Sequence, residues 1–131
     1  MRVRDKADFD RVEQAFQANA ARTQVPDTTV TVSRTPSFPP LASNPGTDAL
    51  AERAEAIYAG IGRKLGRGGN GGASESALAF EAGVPALDGL GPVGGDFHSG
   101  EEYLDLTTLT PRLYLLAKLL MDLGRNPPPR R

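Results

Sequence analysis

A single histidine stands in this chain of 131 residues. It is His98, within Gly94-Gly95-Asp96-Phe97-His98-Ser99-Gly100-Glu101-Glu102-Tyr103-Leu104-Asp105-Leu106. An imidazole at the end of a glycine-rich approach, with carboxylates beside it, has the chemistry of a metal ligand. The same residues also suit a solvated loop histidine, and their types alone leave both readings open. There is no cysteine, so disulfides and thiolate ligands are excluded. Any metal held by this chain would rely on His, Asp and Glu, and a site with one histidine would be rich in carboxylates.

Gly71-Gly72-Ala73-Ser74-Glu75 is the second candidate. A glycine-rich loop that opens a helix turns backbone N–H groups outward and suits an anion. A small anion-binding domain built on this loop is therefore one reading of the chain. Just upstream, Gly66-Arg67-Gly68-Gly69-Asn70-Gly71 fits G-x-G-x-x-G by letter. It follows a helical pattern and not a strand, so a dinucleotide site lacks its context.

Helical periodicity runs from Lys6 to about Ala20, where Phe9, Val12, Phe16 and Ala20 recur at spacings of three and four. Arg2 to Arg4 reads as the stub of a strand. Thr28 to Val32, β-branched and alternating, reads as a full strand. Pro36, Pro39, Pro40 and Pro45 make Ser33 to Gly46 a linker. Thr47 and Asp48 read as the N-cap pair of a helix running to Gly60 or Gly62. Leu50, Ala54, Ile57, Tyr58 and Ile61 form its apolar stripe.

Ser74 caps a short helix from Glu75 to about Ala82, closed by Gly83. Val84 to Leu87 reads as a short buried strand and Asp88 to Gly100 as loop. The last helix starts at Thr107 or Thr110, with Pro111 in its first turn, where proline is tolerated. Leu109, Leu113, Leu116, Leu120 and Leu123 make one face of it, and Leu115 and Leu119 widen that face. So broad a stripe predicts a helix buried in a larger body. Gly124 ends it, a Pro-rich basic tail follows, and there is no internal repeat.

Lys and Arg total 15 against 16 for Asp and Glu, a net charge of −1. That balance gives no electrostatic case for nucleic acid or a membrane surface as partner. No apolar run approaches the roughly 20 residues that span a bilayer. The start, Met1-Arg2-Val3-Arg4-Asp5-Lys6, has no apolar segment of the signal-peptide kind. A cytoplasmic protein is the expectation.

The glycine loop at 71–75, the run Gly83-Val84-Pro85-Ala86-Leu87-Asp88-Gly89-Leu90-Gly91-Pro92-Val93-Gly94-Gly95, then His98-Ser99 and Glu102-Tyr103-Leu104-Asp105 follow in one order at one spacing. Together they resemble the C-terminal part of the M20 metallopeptidases, the glutamate carboxypeptidase and aminoacylase group. The resemblance covers roughly residues 1 to 124 and is dense between Gly71 and Asp105. It implies an α/β fold: the C-terminal part of a zinc-peptidase catalytic domain, preceded by the second half of an α+β lid domain. On that reading residues 1–35 are partial lid, 36–46 the hinge, 47–124 catalytic domain and 125–131 tail. Met1 then falls in the middle of a lid strand.

The resemblance also implies roles. His98 becomes a ligand of the second zinc. Gly94 and Gly95 let the backbone pass close to the metal. Asp96-Phe97 stands where the family has a smaller pair. Gly72, Ala73 and Ser74 line the substrate pocket and hold a substrate carboxylate. Glu75-Ser76-Ala77 departs from the family's usual Asp-Ala-Asn, which leaves the helix opening intact. Arg34, near the junction of lid and catalytic domain, meets the substrate's terminal carboxylate; a solvated arginine at a strand end has the same composition. Glu101, Glu102 and Asp105 read as charges on the approach to the final helix, favourable to its dipole.

The family's remaining zinc ligands and its general base lie in the N-terminal part, and no His-x-Asp occurs here. A lone imidazole does not hold zinc usefully, because affinity rests on convergent ligands. Two functions of different kinds follow. One is a piece of a zinc hydrolase acting on small peptides or N-acyl amino acids, inactive alone and completed by the N-terminal part of the catalytic domain. The other is a non-catalytic dimerisation module that pairs with a second copy.

Overall fold

The structure, a computed structural model, describes residues 3–22, 25–35 and 38–128. Arg2 of the expected strand stub, Pro36 of the linker and the last three residues of the tail lie outside the described residues. In chain order the elements are α1 (Ala7–Ala20), α2 (Pro45–Ala59), α3 (Glu75–Glu81), β1 (Gly94–Gly95), β2 (Tyr103–Leu104) and α4 (Leu109–Arg125). A 3-10 turn, Leu106–Thr108, leads into α4. Among the described residues no helix is long and apolar enough to cross a membrane.

The core sits where α2 packs on α4. Ala54 and Tyr58 of α2 meet Leu115 and Leu119 of α4, all buried, with Ile57, Leu65, Leu87, Leu90 and Leu123 around them. The Arg112 guanidinium lies 5.4 Å from the centre of the Tyr58 ring and closes one end of the cluster by a cation–π contact. At the other end Arg53 Nη1 donates to Asp122 Oδ2 at 3.3 Å and to the Asn126 carbonyl at 2.6 Å. That bond satisfies a carbonyl just past the end of α4, where a cation also favours the helix dipole.

Helix α2 begins earlier than the sequence reading has it. Asn44, not the Thr47–Asp48 pair, is the N-cap, and its Oδ1 accepts the Thr47 N–H at 2.9 Å. Pro45 is therefore the first helical residue and, with Gly46, not part of the linker; its fixed φ suits that position and its missing N–H costs nothing there. Thr47 is turned to another use, its hydroxyl donating to the Ala86 carbonyl at 3.1 Å.

Among the described residues the expected strands do not form. Thr28–Val32 and Val84–Leu87 carry no ladder, and Val3 and Arg4 are not in a strand either. A strand is completed by a neighbour that takes its N–H and C=O groups. Neither segment has one among the described residues, and Val30 is 53% exposed. Residues 84–87 are held instead by the Val84 N–H on the Ala79 carbonyl at 3.0 Å and by side chains, from Thr47 to Ala86 and from Ser76 Oγ to the Leu87 carbonyl at 3.0 Å. Among the described residues the fold is thus mixed, helices with little sheet, the sheet being a two-residue ladder.

Helix α4 corrects a second expectation. Leu115 and Leu119, at the margin of the expected face, form the buried seam, while Leu113 and Leu120 are 59% and 61% exposed. This helix is apolar around most of its circumference, so periodicity alone could not choose between its sides. Contact with α2 makes the choice.

Candidate functional site

The His98 turn is held by short-range bonds on both flanks. β1 and β2 pair antiparallel, Gly94 opposite Leu104 and Gly95 opposite Tyr103. The Asp105 N–H donates to the Val93 carbonyl at 2.8 Å, and the Val93 N–H donates to Thr108 Oγ1 at 2.9 Å. A Cβ on Gly94 would stand 2.5 Å from the Tyr103 carbonyl oxygen, and one on Gly95 would meet the Tyr103 ring and hydroxyl at 2.7–2.9 Å. Close approach of Tyr103 is thus a reason for the two glycines within this chain. Gly95→Ala is expected to destabilise by about 1–3 kcal/mol, the usual range for overpacking. The same change in a Tyr103→Ala background should cost little, a difference that paired thermal melts would read.

Within the turn, Asp96 and His98 both adopt positive φ, 54° and 67°. The Asp96 carbonyl accepts the Ser99 N–H at 3.2 Å and the Ser99 hydroxyl at 2.7 Å. The His98 N–H donates to Glu102 Oε2 at 3.3 Å. Asp105 Oδ1 caps the 3-10 turn by accepting the Thr107 N–H at 2.9 Å. Glu102 therefore braces the His98 turn, and Asp105 shapes the approach to α4. His98 itself is exposed, outside the leucine cluster of the core.

Zinc requires several convergent donors. Among the described residues no group of three or more His, Asp or Glu side chains is placed to hold a metal ion. The residues present do not by themselves make a zinc site; they offer one imidazole.

Ser74 stands at the N-cap of α3, its Oγ accepting the Ser76 N–H at 3.1 Å, and Gly83 closes the helix at φ 86°. Gly72 spends its N–H inside its own loop, on Asn70 Oδ1 at 2.7 Å. Ala73, between them, is exposed. Arg34 lies on α1, its Nη1 at 3.1 Å from Asp10 and 3.3 Å from Glu13, with the guanidinium 5.7 Å from the centre of the Phe9 ring. Among the described residues no hydrogen bond or ion pair joins Arg34, the 72–74 loop and His98 to one another.

Beside the 72–74 loop lies a pairing that the sequence reading does not include. Arg67 Nε donates to Glu55 Oε1 at 2.7 Å and its Nη2 to Oε2 at 2.8 Å, a two-pronged bond, and Asp48 is 3.7 Å away. The hydrogen bond and charge of Arg67 hold the Glu55 carboxyl below its ordinary range, and Glu55 in turn raises Arg67. The signal was present: Asp48, Glu52 and Glu55 share one side of a helix, and Arg67 is the single cation in the glycine run that follows.

Over residues 3–122 the chain matches the family described as peptidase family M20/M25/M40. It is also 34% identical over 119 residues to carboxypeptidase G2 of Pseudomonas sp. (strain RS-16), an alignment covering 89% of this chain and 29% of that protein. The chain thus spans less than a third of the length of the relative it matches.

Proposed function

This chain belongs to peptidase family M20/M25/M40, and on that premise we propose that it is part of a zinc-dependent hydrolase of C-terminal or N-acyl amide bonds, inactive by itself. The family match across nearly the whole chain carries this reading, and the name of the similar carboxypeptidase supports it. Residues 1–35 belong to the lid, 36–46 to the hinge and 47–124 to the catalytic domain. His98 supplies one imidazole to the zinc centre. The remaining ligands and the general base come from the N-terminal part of the catalytic domain. Gly72, Ala73 and Ser74 face the carboxylate end of a small peptide or N-acyl amino acid, and Arg34 reaches that end when it leaves Asp10 and Glu13. Action in the cytoplasm fits the absence of cysteine.

A non-catalytic dimerisation module is the second reading, favoured by one observation. Leu106, Leu109, Leu113, Leu116 and Leu120 lie exposed along one side of α4 and the turn before it. A helix apolar on nearly every side is ordinarily buried. In the hydrolase reading the rest of the catalytic domain covers this side; in the second a copy of the chain does.

The test is zinc titration with an assay on N-acyl amino acids, on this chain alone and mixed with the N-terminal part of an M20 hydrolase. Alone, the chain is expected to sediment heavier than a monomer and to turn over no substrate. Mixed, it should show zinc-dependent hydrolysis. A soluble monomer hydrolysing N-acyl amino acids unaided would overturn the proposal. A stable homodimer that never gains activity would favour the second reading.

A further inference from the structure

The glycine run between Leu65 and Ser74 has few ways to hold a shape. Gly66, Gly68 and Gly69 have open space where a Cβ would be, and residues 64–70 carry no regular secondary structure. Leu65 is anchored at the core and Ser74 at the start of α3. Between them the Asn70–Gly72 bond is internal to the loop. Among the described residues, Arg67 makes the side-chain bonds that cross from this run to another element.

From this geometry we propose that Arg67 is a positioning residue: its two-pronged bond to Glu55 fixes the glycine loop on α2 and so sets where Gly72, Ala73 and Ser74 stand. The role rests on the reading above, in which those three residues face the substrate's carboxylate end. Glycine loses more conformational freedom on ordering than any other residue, so a run of five glycines among seven residues is costly to hold still. A planar guanidinium on a carboxylate fixes angle as well as distance, which a lysine at the same place could not do. Asp48 and Glu52 add favourable charge from the same side of α2. The clamp sits outside the set of residues that would touch substrate, and acts on KM through the loop.

The experiment uses the full 131-residue chain. Amide exchange at residues 68–73 is measured in the wild type, Arg67→Ala, Arg67→Lys and the charge-swapped pair Glu55→Arg with Arg67→Glu. Arg67→Ala is expected to speed exchange there about fivefold, the upper end of what a well-formed exposed ion pair contributes. Amides of α2 and α4 should hold. Arg67→Lys should recover part of the protection and the swapped pair most of it. Unchanged exchange at 68–73 in Arg67→Ala would overturn the clamp.

In the mixture with the N-terminal part, Arg67→Ala should raise KM and leave kcat in place. A loosened loop with KM unmoved would overturn the positioning role and leave the hydrolase reading intact. Absence of hydrolysis with the wild-type chain would instead count against the hydrolase reading, and the exchange data would still judge the clamp.

Discussion

Leu115→Ala is expected to lower the stability of this chain by about 2–5 kcal/mol, the range for deleting a buried leucine side chain. Leu115 is fully buried, and few large side chains share that state. The cluster it anchors is small: Ala54, Tyr58, Leu115 and Leu119, with a ring of partly buried neighbours. A whole domain is ordinarily stable by only about 5–15 kcal/mol. A loss of this size in so thin a core should move a urea midpoint far, or leave much of the chain unfolded at the outset.

Leu113→Ala, two residues away on the same helix, is the matched comparison. Leu113 is 59% exposed in the single chain, so its truncation, measured at concentrations where the chain is monomeric, should stay within about 0.5 kcal/mol. The two variants have the same chemistry and the same helix propensity and differ in which way they point. Equal costs would show that the wrong side of α4 has been assigned to the core.

That pair also marks where sequence reasoning stopped. Helix α1, the Ser74 cap, the close of α3 at Gly83 and Pro111 in the first turn of α4 were legible, because each depends on local chemistry. The side of α4 that is buried was not legible, because its leucines encircle the axis and only the partner helix selects among them. Thr28–Val32 has the composition of a strand, yet composition cannot supply the neighbour that a strand needs. Residue type does not single out Asn44 as the cap, because Thr47 and Asp48 are equally good cap residues and position decides between them. Of the site, His98 and its loop were visible as a lone imidazole among glycines. The Tyr103 contact that forbids a side chain at Gly95 depends on distances that no spacing in the sequence encodes.

His98→Gly should separate stability from function in the opposite sense to Leu115→Ala. His98 is exposed and holds φ at 67°, a region that glycine enters without steric cost and other residues enter at some cost. Substitution relieves that strain while giving the unfolded chain more freedom, and the two effects oppose each other. The melting temperature of the chain should therefore move little.

The completed hydrolase should respond quite differently. Changes in groups that merely orient a metal ligand cost about 10–100-fold, so loss of the ligand itself should cost about 100-fold or more in zinc-dependent hydrolysis. Asp96→Gly supplies the control. Asp96 shares the positive φ, at 54°, and its carbonyl rather than its carboxylate holds Ser99. Relieving strain there keeps the imidazole, so activity should persist. On the proposed reading the use of the residue at position 98 lies in its imidazole, and metal binding is that use. Should His98→Gly melt normally and still support full zinc-dependent hydrolysis, that use is not metal binding, and the exposed imidazole is a solvated loop residue after all.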